Sequence, residues 1–317
     1  MNPGTEVVER DPSISAGAGT PLRLAIVGCG PRGLQCLEAL SRKLDKDELR
    51  CLHITIFEPA VTPGAGPVYE PSQSKVLRMN FATQHIDFWK SGLDQKTHIH
   101  DSLIGWLSSR YPELATTDQY IPRAIVGEYL RDCFDLVRKQ LDASANVIVT
   151  RCPVRRIEKQ GAAYRISTDH EKLIFDRIVL TTGHEGLRSS ISIGSEKATI
   201  AALPFSNLST QNVIPNCRVS VVGFGLTAID AILSLTEGRG GKFVEGGALP
   251  TYLRTGTEPS WIEVYSRSGR PMLAKPTALI EPVEDGFWET SRRQLNALKP
   301  RHGSLDFPCE IWPVFAE

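Results

Sequence analysis

The apolar and polar positions of the chain fall into short strand-like runs joined by glycine turns and helix-spaced stretches. Leu22-Arg-Leu-Ala-Ile-Val27 reads as a buried strand that breaks at Gly28-Cys-Gly30-Pro-Arg-Gly33 and continues as a helix from Leu34 to about Leu44. His53-Ile-Thr-Ile-Phe57 predicts a second strand, ending at Glu58, with Asp45–Arg50 a helix extension or loop before it. Residues 59–123 are irregular and punctuated by proline and glycine. From Ala124 to about Ser144, Ile125, Val126, Tyr129, Leu130, Phe134, Leu136, Val137 and Leu141 recur at helical spacing. Val147–Val149 is a short strand, and Val154–Ile157, Tyr164–Ser167 and Lys172–Phe175 form an antiparallel meander with turns at Gln160-Gly161 and Asp169-His170. Arg177–Leu180 is a buried strand running into Thr181-Thr182-Gly183-His184. Residues 185–217 read as a linker rich in Ser, Pro and Asn, and Glu237–Gly247 as a flexible surface loop. Glu284 to Pro300 predicts one polar helix, and residues 1–20 a disordered leader. Strands alternating with helices place the chain in the α/β class.

The first glycine turn carries a specific chemistry. Gly28 makes the tight turn, Gly30 lets backbone approach a pyrophosphate, and Gly33 lets the helix pack closely on the strand. The helix N-terminus then offers N–H groups and the positive end of its dipole to phosphates. Glu58, at the tip of the second strand, stands where such a unit holds a ribose; the bland alternative is a surface glutamate at a strand end. A second copy follows: Arg218-Val-Ser-Val-Val222 leads into Gly223-Phe-Gly225-Leu-Thr-Ala228, with alanine in the third glycine's place, and a helix from Ile229 to about Leu235. Two strand–turn–helix units are far more specific than one, and predict two Rossmann-like dinucleotide-binding units. The strand that should carry the second ribose ligand, Trp261–Tyr265, ends at Ser266-Arg267-Ser268-Gly269-Arg270. It has no acid. A carboxylate would repel a 2′-phosphate, whereas guanidinium pairs with it, so Arg267 and Arg270 point to NADP; two solvated arginines in a turn are the alternative.

Composition removes several function classes. The chain has 317 residues, enough for two domains, with 41% hydrophobic residues and 36 basic against 36 acidic side chains. That balance favours neither nucleic acid nor a membrane surface, and no apolar run nears the roughly 18 residues a bilayer span requires. Seven scattered cysteines without a C-x-x-C pair suit reduced thiols in a cytoplasmic protein. His98-Ile-His100-Asp101 lacks partner ligands at sensible spacing, so no metal is expected there. Leu77-Arg78-Met79-Asn80 through Ile86-Asp87-Phe88-Trp89 is consistent with a wall for a flat cofactor ring, or equally with a satellite core under a long loop.

Taken together, these motifs resemble the flavoproteins with two dinucleotide-binding domains. Pro63-Gly-Ala-Gly-Pro-Val-Tyr69 followed by Leu77-Arg-Met-Asn80 is similar to the FAD/NAD(P)-binding proteins related to flavin-dependent N-hydroxylating monooxygenases. The resemblance spans about residues 22–275. It implies an FAD unit with a β-meander at 21–205 and an NAD(P)H unit at 206–317. Gly28, Gly30, Pro31, Gly33, Glu58, Arg78, Asn80, Val154, Thr182 and Gly183 would face FAD, and Gly223, Gly225, Ala228, Arg267 and Arg270 would face NADPH. The implied chemistry is hydride transfer from NADPH to FAD, followed in the monooxygenase branch by O2 addition to the reduced flavin; no catalytic residue is assigned, because the cofactor carries the chemistry. The substrate is an unidentified small molecule, and an oligomer or partner subunit is left open. In this group the chain returns after the NADPH unit to complete the FAD domain with a Gly-Asp, a dipeptide this sequence lacks. The alternatives are therefore a catalytically incomplete dinucleotide-binding module or subunit, and a flavin-free NADP dehydrogenase, against which the twin turns argue.

Overall fold

The computed structural model describes residues 21–89, 102–183, 192–193, 198–199, 205–247, 249–270 and 286–298. The expected leader, the His98–Asp101 turn, much of the 185–217 linker and the last residues of the chain lie outside them.

β1 (Leu22–Val27) runs into α1 (Pro31–Lys43), a five-residue α2 (Lys46–Arg50) and β2 (Leu52–Phe57). After α3 (Leu103–Arg110), α4 (Arg123–Asp142) leads to β3 (Asn146–Thr150), then the strands β4 (Arg156–Gln160), β5 (Ala163–Ser167) and β6 (Lys172–Phe175), and β7 (Arg177–Leu180). β1, β2, β3 and β7 form a parallel sheet in the order β3-β2-β1-β7, and β4-β5-β6 is the antiparallel meander. Strand periodicity explains the layering. Leu24, Ile26, Ile54 and Ile56 pack with Leu34, Leu37, Val126, Tyr129 and Leu141 from the helices, while Ala25, Val27 and Phe57 on the opposite face pack against Ile166 and Phe175 of the meander. Buried on both faces, β1 and β2 read as nearly continuous apolar runs.

Further along, β8 (Ser192–Ile193) pairs with β9 (Ala198–Thr199). β10 (Arg218–Val222) is followed by α5 (Leu226–Leu235), the hairpin β11 (Lys242–Val244) and β12 (Thr251–Leu253), and β13 (Trp261–Tyr265). β10 and β13 form a two-stranded parallel sheet. Val219 and Ile262 face a small core of Leu208, Val213, Ala231 and Leu235, while the outward residues of the same strands stay in solvent, Val222 at 90% exposure. By contact density the chain up to Pro271 forms one compact unit; the second, Met272–Glu317, contains α6 (Gly286–Ala297).

Several expectations change. α1 and α5 each begin three residues earlier than their apolar pattern, directly on the glycine turns at Pro31 and Leu226; Pro31, with its fixed φ, suits the first helical position. Asp45–Arg50 is a separate helix closed by an Asp45–Glu48 capping box. The meander starts at Arg156, leaving Val154 in the connection before it. Glu237–Gly247 is not a free loop. It folds as a 3-10 turn and the strand β11, held by the Phe243–Tyr252 ring contact (4.9 Å) and by the Arg239 guanidinium, which donates to the carbonyls of Leu208, Val213 and Thr257. Within 59–123, α3 forms behind a Ser102 cap, and Phe88, Trp89 and Met79 pack on the main core.

Candidate functional site

The first glycine turn is clamped from three sides. Behind it, the Gly28 N–H donates to the Phe57 carbonyl (2.9 Å), which continues the β1–β2 ladder. Beside it, Thr181 follows β7: its N–H donates to Val27 O (2.9 Å) and its hydroxyl to Gly28 O (2.5 Å). Gly28 sits at φ +84°, where a Cβ would stand 2.6 Å from the Thr181 carbonyl, and a Cβ on Gly33 would meet Gly28 O at 2.6 Å. Both positions therefore exclude a side chain by space, and Gly28 also by backbone strain. In front, the Gly64 N–H donates to Cys29 O (2.6 Å), and Gly66 lies opposite Gly30.

Glu58 is buried beneath this turn, its Oε2 accepting from the Cys29 N–H (2.6 Å) and its Oε1 from the Ala60 N–H (2.9 Å). The carboxylate locks the turn to the end of β2. It retains lone pairs on both oxygens for further donors such as ribose hydroxyls. Cys29 points into the core beside it; burial, and then the Glu58 charge, push its thiol up to about 12, so it stays protonated. The six described cysteines are all free thiols.

The remaining expected residues are placed as follows. Pro31 occupies the first position of α1, and no side chain caps that helix. Arg78 and Asn80 lie on a strip that bridges to residues 121–123: the Met79 N–H donates to Ile121 O (2.9 Å), the Arg123 N–H to Leu77 O (2.8 Å), and the exposed Arg78 guanidinium to Tyr120 O (3.0 Å). Val154 is half-buried against the core between sheet and meander. Thr182 and Gly183 are exposed at the end of β7, Gly183 at φ +71°. Thr181, one residue earlier, is the threonine that touches the turn; the doublet after a buried strand is its sequence signal. Gly127 has no motif around it in the sequence: on α4, its lack of a Cβ admits the Tyr69 carbonyl, which seats the 63–71 loop.

The second turn repeats the hydrogen-bond logic with fewer neighbours. The Gly223 N–H donates to Tyr265 O (2.7 Å), as Gly28 does to Phe57, and no side chain caps α5 behind Gly225. Gly223 has φ +107°, yet a Cβ there or on Gly225 would meet nothing within 4 Å; Ala228, in the place of Gly33, is buried. The matched register makes Ser266 the counterpart of Glu58, with Arg267 next. Arg267 and Arg270 are exposed, and among the described residues neither forms an ion pair.

This arrangement fits a dinucleotide. At the first turn an uncapped helix N-terminus follows Gly30, whose missing Cβ would have only the Gly66 backbone near it, at 3.5 Å. A pyrophosphate can approach backbone N–H groups there, while a buried acid lies at the tip of the neighbouring strand. Among the described residues no cluster of His, Cys, Asp or Glu suits a metal, and no helix is long and apolar enough to cross a membrane.

Two strand–turn–helix units in one α/β chain define the fold of a flavoprotein with two dinucleotide-binding domains. The chain belongs to the FAD-NAD(P)-binding family, whose model matches residues 25–185, about half of the chain. FAD and NAD(P) are thus the cofactors of this fold. The chain is 28% identical to an L-aspartate N-monooxygenase (nitrosuccinate-forming) of Streptomyces davaonensis, over 93% of the chain and 51% of that protein. It is 27% identical to the nitrosuccinic acid synthase of Aspergillus oryzae, over 94% of the chain and 48% of that protein. The chain spans about half the length of the curated relatives it matches. Among solved structures, the ornithine N-hydroxylase of Kutzneria sp. 744, with reduced FAD, NADP+ and L-ornithine, superimposes with a TM-score of 0.50 at 16% identity, covering 87% of this chain and 62% of that one.

Proposed function

We propose that the chain acts as an NADPH-dependent FAD oxidoreductase of the N-hydroxylating monooxygenase branch, with an amino acid or similar small amine as substrate. The observation that carries this reading is the pair of glycine turns in equivalent register, one backed by a buried Glu58 and the other followed by Arg267. Gly28, Gly30, Gly33 and Glu58, with Pro31, Val154, Thr182 and Gly183, would hold the adenosine diphosphate half of FAD; Arg78 and Asn80 would line its far end. Gly223, Gly225 and Ala228 would seat NADPH, with Arg267 and Arg270 on the 2′-phosphate. The corresponding domains are 21–205 and 206 onwards. Bound there, the cofactors would supply the redox chemistry, a two-electron reduction of the flavin by the nicotinamide and of O2 by the reduced flavin. The protein's part is to bind, orient and exclude water. The relatives named for aspartate support a small-molecule substrate; a cytoplasmic location and an oligomer or partner subunit belong to the same reading.

The test is an absorbance spectrum of the gently purified protein, followed by NADPH oxidation assays. Flavin bands and NADPH consumption are expected, with aspartate as the first substrate to try. Arg267→Ala should cut the preference for NADPH over NADH by roughly 30-fold, the equivalent of about 2 kcal/mol. A second reading, a dinucleotide-binding module without turnover of its own, draws on the two-stranded sheet and exposed Val222 of the second unit. Turnover by the chain alone rejects it.

A further inference from the structure

Two charged residues look misplaced in their own helices. Arg123 opens α4, where a cation opposes the helix dipole and where no acid stands in the first turn. Asp230 is the single charge in α5, whose sequence is otherwise Leu-Thr-Ala-Ile before it and Ala-Ile-Leu-Ser-Leu after it. Each is explained by the other: Arg123 Nη1 and Asp230 Oδ2 are 2.7 Å apart, with side chains only 14% and 9% exposed. A largely buried charge needs its partner, and removal of either leaves the other uncompensated. Burial acts on Asp230 strongly enough to raise its carboxyl despite the guanidinium beside it.

The pair joins the two dinucleotide units at informative places. Arg123 is hydrogen-bonded through its backbone to Leu77, in the same strip that presents Arg78 and Asn80. Asp230 lies in the helix that springs from the second glycine turn. A second contact runs alongside, where Gly238, just after α5, faces the Val76 side chain.

We propose that Arg123 and Asp230 are positioning residues that clamp the second glycine turn to the 77–80 strip and so set the approach of the nicotinamide to the flavin, without touching either cofactor. Productive transfer depends on reacting atoms held within about 3–3.5 Å, so a loosened clamp slows it while leaving each cofactor bound. The positional claim rests on the proposed oxidoreductase reading; the clamp itself does not.

The experiment therefore begins with the cofactor-free chain. Amide hydrogen exchange is compared for wild type, Arg123→Gln, Asp230→Asn and the double variant. Each single substitution should speed exchange by roughly tenfold or more in both elements, at Met79 and Arg123 on one side and along α5 on the other, and the double variant should be no faster than the faster single. Changes confined to the substituted residue's own element, or additive effects in the double, overturn the clamp. Asp230→Glu, which keeps the charge, should restore exchange toward wild type and guards against a fold-disrupting substitution. With FAD loaded, anaerobic reduction by NADPH should slow about tenfold in the single variants while FAD content and NADP+ affinity stay within about twofold; a loss of NADP+ affinity at an unchanged reduction rate overturns the positioning role. If NADPH does not reduce wild-type FAD, the oxidoreductase reading falls, and exchange in the cofactor-free chain still decides the clamp.

Discussion

The two glycine turns share a sequence pattern and a backbone hydrogen bond, but their surroundings differ. Gly28 lies in the middle of a four-stranded sheet, with β2 on one side, β7 on the other, Thr181 wedged against it and the 63–66 loop across its front. Gly223 follows a strand that has one neighbour among the described residues, none of which lies within 4 Å of where its Cβ would stand. The same residue type is thus required for two reasons: space and conformation at the first site, conformation alone at the second. A motif match says that backbone turns sharply; only the packing says how much the turn tolerates.

Substitution at the two leading glycines gives the sharpest break. Gly28→Ala should destabilise the protein by about 3 kcal/mol and abolish FAD retention, since a clash with the Thr181 carbonyl adds to a positive φ. Gly223→Ala should cost about 1–2 kcal/mol from its φ alone. Urea denaturation measures both; equal losses would erase the distinction between the turns. Next in size, Glu58→Gln sets an amide N–H₂ against one of the two backbone N–H groups that the carboxylate now accepts, at a cost of about 2 kcal/mol. Ser266→Ala at the equivalent second position should stay within about 0.5 kcal/mol in the same assay.

The smallest effect concerns acid. Buried Glu258 ties the second unit together, accepting from the N–H groups of Thr255 and Gly256 and from the Tyr252 hydroxyl, while the Asn216 N–H binds its carbonyl. The Thr255 N–H foremost, aided by the other donors, lowers its carboxyl to about 2. A depressed acid stabilises the fold above its unfolded value and loses that contribution as pH falls toward the folded one. The melting temperature should therefore drop between about pH 5 and 2, and Glu258→Gln should be less stable at neutral pH but show a flatter profile. Thermal unfolding followed by circular dichroism checks it; parallel profiles for both proteins would assign the acid sensitivity elsewhere.

What could be read along the chain was local. The turns, the strand tips and the long periodic helix announced themselves because each signal lies within a few neighbouring residues. The hairpin Lys242–Leu253 escaped because its strands are three residues long and their pairing spans a glycine-rich gap. α3 escaped because its eight residues sit in a proline-studded stretch and owe their start to a serine cap. Along the chain Glu58 reads as a ligand, whereas its grip on the Cys29 amide depends on how β1 and β2 align. Thr181 and the Arg123–Asp230 pair act across more than a hundred residues, a distance at which periodicity carries no information.

That distance has a temporal side. The hydroxyl of Thr181 reaches the Gly28 carbonyl across 153 positions of chain. During synthesis the glycine turn emerges before its flanking strand β7, which is made only after the 59–123 insert, α4 and the meander. Contacts of such sequence separation form slowly. The packing around the first turn is therefore complete only once β7 is in place, and a dinucleotide seat built on that turn belongs to the closing stage of folding.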